Sequence, residues 1–126
     1  MKTKKVMVVE DDHSIRLLLQ HVLEDRYHVV AVKDGIEALS VMQDGLVPDL
    51  IISDLSMPKM NGEDFISTVR VSSFFKDVPV MVLSASNTSA ERINCLEKGA
   101  DDYLVKPFNP QELNARVANL FRRIQI

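Results

Sequence analysis

Hydrophobic residues in this chain form short continuous runs that alternate with stretches of helical periodicity. Short apolar runs bounded by turn residues are typical of strands that are buried on both faces. The runs predict strands at residues 5–9, 27–32, 50–53, 78–83 and 102–105. Between them, apolar residues recur every three or four positions and predict five helices. The apolar faces are clearest for Ile15, Leu18, Leu19, Val22 and Leu23 in the first helix, Phe65, Ile66 and Val69 in the third, and Leu113, Val117 and Leu120 in the fifth.

Capping residues mark where the predicted helices begin and end. The start signals are Asp12, Asp34 with Glu37, Thr88 or Ser89, and Asn109 followed by Pro110 and Glu112. Gly45 and Gly99 are placed at the ends of the second and fourth helices. The Phe74–Phe75 pair is expected to anchor the connection before the fourth strand. Strands separated by helices predict a parallel sheet, and right-handed crossovers make it a three-layer α/β/α sandwich.

The composition is that of one globular domain covering residues 1–126, with 46% hydrophobic and 26% charged residues. A net charge of −3 argues against a direct nucleic-acid-binding surface on this domain. No apolar stretch approaches a membrane span of about 20 residues, and the N-terminal apolar run is too short for a secretory signal. The single cysteine, Cys95, excludes an internal disulfide and fits the cytoplasm, where we place the protein.

Polar residues follow four of the predicted strands at the point where each strand ends. They are Glu10 and Asp11, Asp54, Ser84, which precedes Ala85, and Lys106, which precedes Pro107. The carboxyl ends of parallel strands meet at one edge of the sheet, where open α/β sheets hold their sites. Three carboxylates about 4 Å apart would repel by about 4 kcal/mol per pair at an effective dielectric of about 20. Such a cluster predicts a cation, and hard oxygen ligands favour Mg²⁺.

These residues, taken together, resemble the receiver domain of two-component response regulators over essentially the whole chain. The resemblance is carried by Val8-Val9-Glu10-Asp11, Asp54-Leu55-Ser56-Met57-Pro58, Leu83-Ser84-Ala85 and the segment from Gly99 to Phe108. It implies a flavodoxin-like sheet with strand order 2-1-3-4-5. It also implies a phosphorylation-dependent signalling switch rather than an enzyme, with self-catalysed phosphoryl acceptance and autodephosphorylation only.

The resemblance assigns a role to each residue at the sheet edge. Asp54 would accept the phosphoryl group as an acyl phosphate. Asp11, Asp54 and the backbone carbonyl of Ser56 would bind Mg²⁺, with Glu10 acting mostly through water. Lys106 would neutralise charge, and it would be aimed inward by a cis bond to Pro107. Ser84 would donate its hydroxyl and Ala85 its backbone N–H, while Ser84 and the aromatic Tyr103 would form the switch to helix 4, strand 5 and helix 5. The resemblance implies that Tyr103 swings from outside to inside as the loop between strand 4 and helix 4 moves.

Three other functions are weighed against this one. A haloacid-dehalogenase-type phosphatase needs a second aspartate two residues after the nucleophile, and that position holds Ser56. A flavodoxin-like electron carrier needs a phosphate-binding loop after the first strand, where Glu10 and Asp11 would repel the cofactor. A receiver that only docks is disfavoured by the intact acidic cluster. An acyl phosphate that disappears in Asp54→Ala would separate these functions.

A sensor histidine kinase or a histidine phosphotransfer protein is the expected phosphoryl donor. A weak homodimer is expected through a charged face on helices 4 and 5 and strand 5, at Arg92, Glu97, Asp101, Asp102, Glu112 and Arg116. If the chain is complete, output would be by docking to a partner; if it is truncated, a DNA-binding or enzymatic domain is expected to follow residue 126. Ser56 and Ser86, two positions after Asp54 and Ser84, favour a short-lived acyl phosphate.

Overall fold

The computed structural model describes residues 3–124, in which five strands alternate with five helices. The strands are β1 (Lys5–Val9), β2 (His28–Val32), β3 (Leu50–Asp54), β4 (Val80–Ser84) and β5 (Asp102–Val105). The helices are α1 (His13–Leu23), α2 (Gly35–Gln43), α3 (Gly62–Val71), α4 (Ser89–Glu97) and α5 (Pro110–Ile124). All strand pairs are parallel, in the order β2-β1-β3-β4-β5. The predicted fold class and strand order are therefore confirmed.

Side chains alternate between the two faces of the sheet, and each face has its own hydrophobic core. In β1, Met7 and Val9 belong to the core that includes α2, α3 and α4, whereas Val6 and Val8 belong to the core that includes α1 and α5. The central strands are buried on both faces because helices cover both, which explains their continuous apolar sequence. This packing leaves the carboxyl ends of β1, β3 and β4 together at one edge of the sheet.

Two predicted strands begin later than expected, and each has a local reason. Tyr27 donates its backbone N–H to Leu23 O at 3.0 Å, so it completes the turn after α1 and β2 begins at His28. Pro79 has no N–H to donate, so β4 begins at Val80.

Phe74, in the connection between α3 and β4, is 85% exposed, so the expectation that both phenylalanines anchor this connection is wrong for Phe74. Phe75 packs against the core.

The predicted helix starts are found where the sequence places them. Asp12, Asp34 and Thr88 are N-caps that accept from the backbone N–H three residues later, at 2.9, 2.8 and 3.3 Å. Gly45 and Gly99 follow α2 and α4 with φ of 113° and 117°, a conformation that favours glycine. The residues at the sheet edge are therefore connected to helices whose starts are well fixed.

Arg70, at the end of α3, joins three segments at the edge of the sheet opposite the acidic residues. Its guanidinium donates to Gly99 O at 3.0 and 2.7 Å, to Val78 O at 2.6 Å, and to Asp101 Oδ2 at 3.0 Å. Asp101 Oδ2 also accepts from Val80 N at 2.9 Å. The end of α4 is thereby fastened to α3 and to the start of β4.

None of the helices within residues 3–124 combines the length and the apolar character needed to cross a membrane.

Candidate functional site

Three carboxylates converge at the carboxyl ends of β1 and β3. Glu10, Asp11 and Asp54 each contribute an oxygen to a group whose members all lie within 4.8 Å of one another. Glu10 is 1% and Asp54 6% exposed, whereas Asp11 faces solvent. The register that pairs Val9 with Ser53 brings these residues together, because it places Asp54, at the end of β3, beside Glu10, which follows β1. A set of close carboxylate oxygens suits a hard divalent cation such as Mg²⁺.

The amine of Lys106 bridges the two buried carboxylates. Its Nζ lies 2.7 Å from Glu10 Oε1 and 3.3 Å from Asp54 Oδ1. The backbone of Lys106 is held by a bond from its N–H to Ser84 O at 2.7 Å, and the Lys106–Pro107 peptide bond is cis. The side chain of Lys106 is 16% exposed. A positively charged amine therefore lies beside Asp54, between the two buried carboxylates.

Burial and charge shift the pKa values of this pair. Burial raises the pKa of Glu10, as does the charge of Asp54, while hydrogen bonds from Lys106 and Asp12 oppose the rise. Burial alone would lower the pKa of Lys106, but its hydrogen bond to Glu10 and the charges of both carboxylates raise it overall. The two rises are compatible: the amine is attracted by two carboxylates, whereas Glu10 is repelled by Asp54 and shielded from water. Lys106 is therefore charged at neutral pH.

Glu10 is held from several directions. Its Oε2 accepts from Asp12 N at 3.1 Å, and its backbone carbonyl accepts from Arg16 Nη1 at 2.9 Å. The sequence suggested that Glu10 acts mainly through water on a metal, and the structure places Lys106 directly against it. Arg16 was not expected at this site, and its six-residue spacing from Glu10 carries no recognisable signal.

The loop after β3 is packed closely beneath Asp54. Asp54 Oδ1 accepts from Leu55 N at 2.8 Å, and Gly62 N donates to Leu55 O at 2.9 Å. A Cβ at Gly62 would collide with the carbonyl of Asp54 and the Cα of Leu55, so this position requires glycine. Ser56, whose carbonyl is a predicted metal ligand, lies two residues after Asp54 and is exposed.

Ser84 is the last residue of β4 and Ala85 follows it, close to Asp54, since Asp54 pairs with Leu83 in the sheet. Ser84 is 5% exposed; its Oγ lies 3.3 Å from Glu91 Oε1 and accepts from Ser86 N at 3.1 Å. Ala85, which is exposed, follows it. Glu91 was missed from the sequence, because its spacing from Thr88 reads as an ordinary capping signal.

Tyr103 lies inside, with 6% exposure, and its hydroxyl donates to Ser86 O at 2.8 Å. The guanidinium of Arg92 lies 6.0 Å from the centre of its ring. The aromatic side chain is therefore attached to the loop between β4 and α4. Its movement between two positions stays a prediction, since a single position is seen.

The charged face formed by α4, β5 and α5 has partners within the chain. Arg116 Nη1 lies 2.8 Å from Asp102 Oδ1, and Arg116 Nη2 lies 2.9 Å from Glu112 Oε2. The charges of Asp102 and Glu112 raise the pKa of Arg116 against the opposing effect of burial. Asp101 is bound to Arg70. A homodimer through this face would have to exchange or extend these pairs, so the dimer stays a prediction.

The fold and the site together define a signalling receiver module of the two-component type. A family model described as the response regulator receiver domain matches residues 6–118. The chain belongs to this family, as the sequence motifs predicted. It is homologous to the response regulators of two-component systems, and a phosphorylation switch is consistent with that membership.

Individual relatives agree with this assignment. The chain is 44% identical over 123 residues to the protein named "Probable transcriptional regulator ycf27" of Cyanophora paradoxa, covering 97% of this chain and 50% of the relative. It is similar to the chemotaxis response regulator CheY4 of Vibrio cholerae, with 37% identity, a TM-score of 0.88, and coverage of 94% and 98% of the two chains. The receiver domain of sensor histidine kinase PA1611 from Pseudomonas aeruginosa PAO1 is 29% identical with a TM-score of 0.83, covering 92% of this chain and 95% of that one. That structure holds a magnesium ion in its active-site cleft.

The chain spans about half the length of the curated transcriptional regulator that it matches.

Proposed function

We propose that the chain is a phosphoacceptor switch, residues 1–126, in which Asp54 takes a phosphoryl group from a phosphohistidine. The observation that supports this most strongly is the position of Lys106 Nζ between two buried carboxylates, 3.3 Å from Asp54. A carboxylate oxygen of Asp54 would form the bond to phosphorus as the bond from phosphorus to the histidine nitrogen breaks. The imidazole would take up a proton from water as it leaves, and Asp54 would become an acyl phosphate.

The acidic cluster fits a magnesium ion, because three carboxylates within 4.8 Å form a set of hard oxygen donors. Asp11, Asp54 and the backbone carbonyl of Ser56 would hold the ion, with Glu10 contributing through water. When bound, Mg²⁺ would neutralise charge on the transferring phosphoryl oxygens. The magnesium seen in the related PA1611 receiver domain supports this assignment.

The remaining residues of the site would stabilise and read the added phosphoryl group. Lys106 would supply a positive charge to it. The Ser84 hydroxyl and the Ala85 N–H would donate to its oxygens, since Ser84 ends the strand beside Asp54 and Ala85 follows it. Movement of Ser84 would then change the loop held by Tyr103 and alter the surface of α4, β5 and α5.

The activity would be limited to self-catalysed phosphoryl acceptance and autodephosphorylation, so the protein would not be an enzyme acting on other molecules. Ser56 and Ser86 are small polar residues that leave room for an attacking water, which favours a short-lived signal. A sensor histidine kinase or a histidine phosphotransfer protein would be the donor. We place the switch in the cytoplasm, where histidine kinases present their phosphohistidine and a lone thiol such as Cys95 stays reduced.

The output would be carried by protein contacts and not by direct nucleic-acid binding of this domain, in keeping with its net charge of −3. Phosphorylation would strengthen a weak homodimer through α4, β5 and α5. Light scattering with and without beryllofluoride, a phosphoryl mimic, tests this part. A monomer under both conditions would remove the dimer from the proposal and leave the phosphoacceptor role intact.

Radiolabelled acetyl phosphate tests the acceptor directly. With Mg²⁺, the chain should acquire an alkali-labile label that disappears in Asp54→Ala. Asp44→Ala is a matched control, because Asp44 ends α2 and lies outside the acidic cluster. Labelling that survives in Asp54→Ala, or that is absent from the unaltered chain, would contradict the proposal.

A further inference from the structure

Glu91 occupies a position from which it competes for the hydroxyl of Ser84. It is the third residue of α4 after the N-cap Thr88, and its Oε1 lies 3.3 Å from Ser84 Oγ. Ser84 is 5% exposed, so little water competes for its hydroxyl. The separation is long for a bond between a hydroxyl and a carboxylate, so this bond is weak.

A serine hydroxyl carries a single proton and can donate fully to a single acceptor. Ser84 Oγ already accepts from Ser86 N at 3.1 Å, which leaves its proton directed to Glu91. A phosphoryl group on Asp54 would need the same proton. The bond to Glu91 and the bond to the phosphoryl group are therefore mutually exclusive.

We propose that Glu91 is a positioning residue that holds the Ser84 hydroxyl in the unphosphorylated state and is displaced when Asp54 is phosphorylated. This inference rests on the proposed phosphoacceptor function and adds a residue to it. The displaced carboxylate lies at the start of α4. Loss of its bond to the sheet thus gives a direct route from the phosphoryl group to the helix.

The displaced carboxylate has a second partner within reach of its helical position. Glutamate at the third position of a helix commonly accepts from the backbone N–H of the N-cap residue. In this structure the N–H of Thr88 is instead bonded to Ser86 Oγ at 3.4 Å, a long contact that is easily exchanged. Glu91 can thus move from Ser84 to Thr88 N without leaving a backbone donor unpaired.

Tyr103 is already inside and bonded to Ser86 O at 2.8 Å. The aromatic half of the expected switch is therefore in place while Ser84 remains directed to Glu91. The structural change that remains to be made on phosphorylation is therefore the release of Ser84 from Glu91.

The test is the affinity of the chain for beryllofluoride in saturating Mg²⁺, measured by isothermal titration calorimetry. Glu91→Ala should bind beryllofluoride about three- to tenfold more tightly than the unaltered chain, as expected for removal of one weak competing hydrogen bond. Glu91→Gln should fall between them, because the amide oxygen still accepts but carries no charge. Glu37→Ala is the matched control, since Glu37 is the third residue of α2 after its N-cap Asp34. It should leave the affinity unchanged.

A double-mutant cycle with Ser84→Ala separates competition for the hydroxyl from simple charge repulsion. In that background Glu91→Ala should have no effect, because no hydroxyl remains to be released. A gain of equal size would assign the effect to charge and overturn the inference. So would an unchanged or weaker affinity in the single variant. If the unaltered chain bound no beryllofluoride, the proposed function itself would fail.

Discussion

Replacing Lys106 by methionine removes the positive charge of the site and keeps most of the aliphatic side chain. Lys106 Nζ lies 2.7 Å from Glu10 and 3.3 Å from Asp54. At an effective dielectric of about 20, these contacts correspond to about 6 and 5 kcal/mol of attraction, most of which is offset by burial of the amine. Removing one partner of a buried pair commonly costs about 3–5 kcal/mol. We expect Lys106→Met to lower the free energy of unfolding by about 3 kcal/mol, the lower end of this range, because the exposed Asp11 shows that water reaches this edge of the sheet.

The loss of folding stability caused by Lys106→Met should grow as the pH rises. Burial raises the pKa of Glu10, and loss of the bond from Lys106 removes an opposing effect, so this pKa rises further in the variant. A carboxyl group with a raised folded-state pKa stabilises the fold while protonated, and that stability is lost as the pH rises through the folded-state pKa. The variant should therefore be closest to the unaltered chain at pH 5 and furthest from it at pH 8.

Urea denaturation followed by circular dichroism at both pH values measures this. Lys98→Met is the control, because Lys98 and its partner Glu63 are 40% and 32% exposed and such pairs contribute about 0–1 kcal/mol. Adding Glu10→Gln to Lys106→Met should remove the pH dependence. A deficit no larger than that of Lys98→Met, or one that does not grow between pH 5 and 8, would refute the reasoning.

Three further predictions concern metal, thiol and backbone. Magnesium chloride at ten times its dissociation constant should stabilise the fold by about 1.4 kcal/mol and raise the melting temperature by about 5 °C. Calorimetry should show no such rise with sodium chloride of equal ionic strength, or in Asp11→Asn. Burial, and to a lesser degree the neighbouring carboxylates, raises the pKa of Cys95 to about 11. A thiol-reactive disulfide reagent should therefore label the native chain at pH 8 far more slowly than the chain in urea. Equal labelling rates would contradict this prediction. Gly62→Ala should lower the free energy of unfolding, measured by urea denaturation, by about 2 kcal/mol or more, because the new Cβ would collide with backbone atoms of Asp54 and Leu55. An unchanged midpoint would contradict this prediction and show that the loop can shift to make room.

The alternation of apolar runs and helical faces was enough to predict the element order, because strands covered on both faces have continuous apolar sequences. The predicted strand boundaries were wrong where a backbone group determined where the strand begins. Tyr27 is apolar enough to extend β2, but its N–H completes the turn after α1. Phe74 looks like a core residue by type and is 85% exposed.

The site was predictable because parallel strands bring their carboxyl ends together, so the sequence alone groups Glu10, Asp11, Asp54 and Lys106. Their exact partners were not. The direct bond between Lys106 and Glu10 spans 96 residues, and side-chain rotamers that decide such contacts leave no pattern in sequence. Glu91 is the same kind of case, since a capping glutamate and one that binds a strand-end serine have identical spacing.

The five donations from Arg70 end at Gly99, Lys76, Val78 and Asp101, all at the side of the sheet far from Asp54. They fasten the carboxyl end of α4, whereas its start is held to β4 by the longer bond between Ser84 Oγ and Glu91 Oε1. Any movement that starts near Thr88 would therefore rotate α4 about its carboxyl end. The displacement would be largest at the end of α4 near Asp54 and smallest near Gly99.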